Sequence, residues 1–88
     1  MGKYTEASKA GQQLIFKFIK ERMKEKGVTQ NELAEIVGVG VTTLIRYFKQ
    51  ETPMPLGIYL EICGALELRP YLIPAEADTN EMMRMYFN

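Results

Sequence analysis

The segment TQNELAEIVGVGVTTLIRYFKQ, residues 29–50, constrains the fold more than any other part of the chain. Thr29 and Glu32 have the spacing of a capping box, in which each side chain bonds the other residue's backbone amide at the start of a helix. Gly38 supplies the left-handed conformation that ends this helix, and Gly40 suits the N-cap of the next one. The segment therefore predicts two short helices joined by a turn of about three residues.

Each of these two helices is predicted to have one apolar face, because apolar residues recur at three- and four-residue spacing. The residues of these faces are Leu33, Ala34 and Val37 in the first helix, and Leu44, Tyr47 and Phe48 in the second. The opposite side of the second helix carries a different stripe, formed by Thr42, Ile45, Arg46 and Lys49. We expect the first stripe to pack and the second to stay accessible.

Amphipathic helices are also predicted on either side of this pair. The first lies between Ala10 and Lys26 and ends at Gly27; the last begins near Pro55, which suits a first helical turn. The apolar stripes that we expect them to bury are Leu14, Ile15, Phe18, Ile19 and Met23 in the first helix, and Leu56, Tyr59, Leu60, Cys63 and Leu66 in the last. The stretch RPYLIP then predicts extended or irregular backbone, and Asp78 to Glu81 has the pattern of a capping box for a short terminal helix.

The composition excludes several classes of site. The chain has one cysteine and no histidine, so it cannot form an internal disulfide, a zinc finger or a histidine-based catalytic dyad. We expect Cys63 to be a buried structural thiol, and we expect no metal, no cofactor and no enzymatic activity. No apolar run is long enough to span a membrane, and the N-terminus lacks a signal-peptide pattern, so a cytoplasmic location is expected.

Charge is distributed unevenly along a chain whose net charge is zero. Residues 1–50 carry nine basic and five acidic side chains, whereas residues 51–88 carry two basic and six acidic ones. Such asymmetry can give a neutral molecule a basic face for phosphate. For the lysines of KFIKERMKEK two interpretations stay open, since they can also form the solvated side of the first helix.

The pattern TQNELAEIVGVGVTTLIRYF resembles the helix-turn-helix of the lambda repressor and Cro (XRE-type) family. The resemblance extends over about residues 12–68 and implies an all-α, compact five-helix lambda-repressor-like DNA-binding domain whose second motif helix enters the major groove. The implied organisation is an N-terminal arm at residues 1–9, the helix-turn-helix domain at residues 10–68, and a C-terminal extension at residues 69–88 that could serve dimerisation.

The resemblance also assigns roles by position. It implies base contacts from Val41, Thr42, Ile45 and Arg46, and phosphate contacts from Gln30, Thr43 and Lys49. The alternative is that Val41 and Ile45 belong to the core and that Arg46 is a solubilising charge. The chain departs from the pattern of many members at Phe48, where they have Glu, and at Gln50, where they have Gly.

The function implied by this family is sequence-specific transcription regulation of a phage or prokaryotic type. Its partners would be double-stranded DNA and a second copy of the chain, with no membrane and no evident small-molecule ligand. We expect the dimer contact around Tyr71, Leu72, Ile73 and the C-terminal methionines, unless these residues cover the chain's own core. A protein-interaction module, such as an antitoxin or adaptor, is the alternative, because residues 75–88 are acidic and rich in methionine.

Overall fold

The computed structural model describes residues 2–77 and shows four α-helices in this part of the chain. They are α1 at Thr5–Lys26, α2 at Gln30–Val37, α3 at Val41–Phe48 and α4 at Leu56–Ala65, followed by one turn of 3₁₀ helix at Ala75–Ala77. The predicted all-α class is confirmed. The predicted count of five helices is wrong for the described residues, and the terminal helix expected from Asp78 lies outside them.

The backbone after α4 explains why no further α-helix forms before residue 78. Glu67 takes a left-handed conformation with a φ of 56°, which turns the chain out of the helical path. Pro70 and Pro74 then lack an amide donor and hold the preceding residues in extended conformations. The predicted irregular structure of residues 69–74 is therefore confirmed.

All four helices end with a left-handed residue, at φ 68° for Gly27, 77° for Gly38, 61° for Gln50 and 56° for Glu67. In each case the next amide bonds a carbonyl five residues back, as in a Schellman motif. The two glycine endings were predicted. Gln50 and Glu67 were not, because side chains with a Cβ rarely take this conformation. Gln50 stands where many family members have Gly, and its left-handed backbone gives the physical reason for that preference.

Helix α1 begins at Thr5, five residues before the predicted start at Ala10. The Thr5 hydroxyl donates to the Gly2 carbonyl oxygen at 2.7 Å, which stabilises the first turn. The prediction used apolar spacing, and the early turns of α1 have little of it because their residues favour a helix without entering the core. Residues 5–9 of the predicted N-terminal arm are therefore helical.

One core joins all four helices, and the predicted apolar faces of α2 and α3 are confirmed as part of it. The ring of Phe16 on α1 meets that of Phe48 on α3 edge to face, with centroids 5.6 Å apart. The buried residues of this core are Phe16, Ile19, Met23, Leu33, Ala34, Val37, Leu44, Tyr47, Phe48, Ile62 and Leu66.

The predicted stripes of α1 and α4 are partly wrong. On α1 the structure buries Phe16 and leaves Phe18 59% exposed, and on α4 it buries Ile62 and leaves Leu56 70% exposed. Both helices carry more apolar residues than one stripe can hold, so their spacing is compatible with more than one packed face. The prediction that Cys63 is buried is confirmed. Among the described helices, none combines the length and the apolar character that a membrane span requires.

Candidate DNA-binding interface

The start of α2 is held by the predicted capping box. The Thr29 hydroxyl oxygen accepts from the Glu32 amide at 3.1 Å, and the Glu32 carboxylate accepts from the Thr29 amide at 2.9 Å. The Thr29 amide, and secondly the Thr29 side chain, hold the pKa of the Glu32 carboxyl below its ordinary value. These bonds determine that α2 begins at Gln30. The Gln30 side chain, which is half-buried, therefore lies at the positive end of the helix dipole.

The turn between α2 and α3 sets how the two helices meet. Gly38 is left-handed, and the amide of Val39 donates to the Ala34 carbonyl at 3.0 Å. Val39 is half-buried and packs against the core. Gly40 is the N-cap of α3, and its carbonyl accepts from the Leu44 amide at 3.0 Å. The turn thus holds α3 against α2 with one face buried and the other free.

The free face of α3 consists of the stripe that its spacing predicts. Thr42, Arg46 and Lys49 are exposed, and Ile45 is half-buried. On the opposite face Leu44 has no exposed surface, which anchors the helix. The surface that α3 offers to a partner therefore mixes a hydroxyl, two cations and one branched apolar side chain.

Val41 and Ile45 had two alternative roles in the sequence analysis, core packing or contact with DNA bases, and the structure shows different surroundings for the two residues. Both are half-buried, but of the two only Val41 packs against the core. The apolar surface of Ile45 instead adjoins the exposed residues of its stripe. The structure therefore favours a core role for most of Val41 and leaves Ile45 available to a partner.

The three expected phosphate ligands occupy different positions around α3. Gln30 lies in the first turn of α2, Thr43 in the first turn of α3, and Lys49 directly after the last residue of α3. Thr43 and Lys49 are exposed. Within the part of the chain that the structure describes, no cluster of three His, Cys, Asp or Glu side chains could hold a metal ion.

Lysines of α1 also lie beside α3, which the sequence reasoning did not predict. The Lys20 ammonium is 5.4 Å from the centroid of the Phe48 ring, a distance at which a cation is attracted to an aromatic face. Lys17 and Lys24 line the same groove as Lys20 and Phe48. Their helical spacing indicates a shared face of α1, but spacing along one helix does not specify which other helix that face adjoins.

A capped pair of helices with a glycine turn, a shared core and one free helical stripe defines a DNA-binding helix-turn-helix domain. Comparison with known families agrees, since a family model described as helix-turn-helix matches residues 19–72, which is 54 of the 88 residues. The chain therefore belongs to this helix-turn-helix family, whose type is that of the lambda repressor. Its match begins within α1 and extends beyond α4. Neither the curated proteins nor the solved structures gave a significant match.

Proposed function

We propose that this protein is a sequence-specific transcriptional regulator that reads double-stranded DNA with α3. The observation that carries the proposal is the division of α3 into a buried face around Leu44 and a free stripe from Thr42 to Lys49. The major groove admits a helix presented in this way, and each base pair displays a distinct pattern of donors and acceptors there.

The free stripe supplies suitable chemistry for reading bases. Arg46 donates in bidentate fashion to the N7 and O6 atoms of guanine, and the Thr42 hydroxyl donates to or accepts from a base edge. Ile45 contacts a thymine methyl group, which accounts for an apolar side chain that is half exposed outside the core. Val41 adds only the part of its side chain that the core leaves uncovered.

Phosphate contacts orient the domain without reading sequence. We assign them to Gln30 at the start of α2, Thr43 in the first turn of α3, and Lys49 directly after the last residue of α3. Gln30 acts together with the backbone amides at the start of α2 that the capping box does not use. Lys49 follows α3 directly and places an exposed charge at its C-terminal end.

We propose a homodimer, in which residues 10–68 bind DNA and residues 69–88 join the two copies. Leu72 is 98% exposed and Tyr71 81% exposed. A partner that covers such apolar side chains removes them from water, which lowers the free energy of the complex. An eight-residue helix such as α3 covers few base pairs, so two copies on a symmetric operator would supply affinity and site length.

The test is selection of bound oligonucleotides from a random pool, followed by a salt series on the selected duplex. Binding should weaken steeply with salt, and Lys49→Ala should make the log–log slope shallower by about one unit. Lys26→Ala is a matched control, because Lys26 pairs with Glu67 and lies about 120° around the α1 axis from Lys20, at about 100° per residue. Absence of binding to selected and random duplexes at low salt would contradict the proposal and favour the protein-interaction module.

A further inference from the structure

A row of exposed lysines runs along one side of α1. Lys9, Lys17, Lys20 and Lys24 fall within about 80° of arc on a helix that turns about 100° per residue, and they extend over about 22 Å of its length. We call these four residues the lysine row. Gln13 continues the same face between Lys9 and Lys17, so the row consists of long polar side chains with hydrogen-bond donors.

Two contacts place the lysine row beside the end of α3. Near its middle, the Lys20 ammonium lies over the ring of Phe48, which is the last residue of α3. At its start, the Lys9 carbonyl accepts from the Gln50 side-chain amide at 3.2 Å. Both contacts join α1 to the segment that leaves α3, so the two surfaces are neighbours.

The lysine row flanks the free stripe of α3 and does not lie behind it. Around the α3 axis Phe48 is about 60° from Ile45, at about 100° per residue. Phe48 therefore lies on the packed face of α3 at the margin nearest Ile45, and the Lys20 ammonium lies over its ring. A duplex seated on the stripe would bring a sugar-phosphate backbone toward the lysine row.

Acidic side chains near the lysine row are few. Glu21 lines the groove with Lys17, Lys20 and Lys24. Glu25 is paired with Arg22 at 3.2 Å on another side of α1, and Glu6 lies on the arc of the row one turn before Lys9. The row thus keeps an excess of positive charge although the whole chain has none.

We propose that the lysine row is a second phosphate-binding surface, which holds the DNA backbone next to the site that α3 reads. The inference rests on the proposed function, since it continues the surface that DNA occupies. Lysines act as point charges that suit phosphates, and each one that neutralises a phosphate releases counterions from the duplex. An acidic protein segment would be an alternative occupant, but nothing in the row adds the apolar surface that a protein partner would use.

The test compares salt slopes for the full chain on its selected duplex and on a random duplex. The variant Lys17→Gln/Lys20→Gln/Lys24→Gln should have a log–log slope shallower by about 2.7, because each lost phosphate contact removes about 0.9. When salt is raised from about 50 to 200 mM, the fold-loss of affinity should therefore be about 40 times smaller for the triple variant than for the unchanged protein. Base preference should not change, since phosphate contacts carry no sequence information.

Two further variants separate the lysine row from general effects of charge. Lys26→Gln removes the same kind of charge from another side of α1, where Lys26 pairs with Glu67, and should leave the slope unchanged. Glu21→Gln removes the acid from the groove and should raise affinity for both duplexes. If the triple variant loses its helical circular dichroism signal, it is unfolded and its salt slope does not test the lysine row. The Glu21→Gln variant then provides the test.

The outcomes distinguish this inference from the proposed function. If the unchanged protein binds neither duplex, both proposals fail. If it binds but the folded triple variant keeps the original slope, or Glu21→Gln leaves affinity unchanged, only the lysine row is overturned. A shallower slope in the triple variant with unchanged base preference, together with tighter binding by Glu21→Gln, supports it.

Discussion

Two regions of the described chain, the pair α2 and α3 and the part from α4 onward, differ in how much of their apolar surface they bury. Helices α2 and α3 bury most of theirs, with Ile36 exposed and Val41 and Ile45 half-buried, and their other outward side chains are polar or charged. Helix α4 buries Ile62 and Cys63, but this helix and the segment after it leave Leu56, Leu60, Tyr71 and Leu72 exposed. The first surface suits an anionic, hydrogen-bonding partner such as DNA, whereas the second suits an apolar partner such as another copy of the chain.

Charge follows the same division. The basic excess lies in residues 1–50, which form α1, α2 and α3, and the acidic excess lies in residues 51–88. A DNA duplex would attract residues 1–50 and repel residues 51–88, so the surface of α4 and the segment after it should not compete with α3 for DNA.

The largest effect should come from Leu72→Ser, if the C-terminal segment joins two copies. A symmetric dimer contains Leu72 twice, and burial of one leucine contributes about 1.5 to 3 kcal/mol, so the dimer should lose about 3 to 6 kcal/mol. Sedimentation equilibrium would measure this loss. Phe18→Ser is the control, because Phe18 is an exposed residue of α1. Equal dimerisation in both variants would place the interface elsewhere.

Leu44→Ala should destabilise the fold by about 2 to 5 kcal/mol, because it leaves a cavity between α3 and the core. Leu44 has no exposed surface, whereas Leu56 on α4 is 70% exposed. Leu56→Ala should therefore change the free energy of unfolding by less than about 0.5 kcal/mol. Urea denaturation of both variants gives the comparison. Similar losses in the two variants would show that α4 packs as closely at Leu56 as α3 does at Leu44.

Arg46→Ala should reduce discrimination at a single base position by about 1 to 3 kcal/mol, since a bidentate contact to guanine is lost. Competition binding with single-base variants of the selected duplex would locate that position. Lys49→Ala serves as the contrast, because loss of a phosphate contact should weaken all duplexes alike. A uniform loss in Arg46→Ala would reassign Arg46 to the phosphate backbone.

The smallest effect should come from Thr29→Ala, which removes the cap of α2 and should cost about 1 kcal/mol of stability. Because the folded protein lowers the pKa of Glu32, this carboxylate stabilises the fold above its ordinary pKa of 4.5. That contribution is lost as pH falls through the lower folded value. The alanine variant keeps the backbone amide, which is the larger cause of the pKa shift, so only the part due to the Thr29 hydroxyl differs between the two proteins. The stability gap between them should narrow in acid by that part, as measured by urea denaturation across pH. Thr29→Ser should keep the stability of the unchanged protein, because the serine hydroxyl can also cap α2. A gap between the unchanged protein and Thr29→Ala that widens in acid would contradict the assigned role of Glu32.

Features that depend on a few neighbouring residues could be predicted from the sequence. The capping box of Thr29 and Glu32, the left-handed Gly38 and the opposed faces of α3 are all as predicted. Each depends on bonds within one or two turns of backbone, so the residue types are sufficient to specify it. The family resemblance had the same source, since its pattern lies within this segment.

Features that depend on how helices pack could not be predicted in this way. Spacing could not show that α1 buries Phe16 and not Phe18, or that α4 buries Ile62 and not Leu56, because each helix offers more than one apolar face. The left-handed Gln50 has no signal in its residue type and is held by its place between α3 and the carbonyl of Lys9.

The candidate interface shows the same limit. The residues of the α3 stripe follow from the period of a helix, whereas the position of the lysine row beside that stripe follows from the packing of α1 against Phe48. The periodic pattern of a single helix specifies which side chains share a face. Which two faces become one surface depends on contacts between residues far apart in the chain, and those contacts are made only when the core forms.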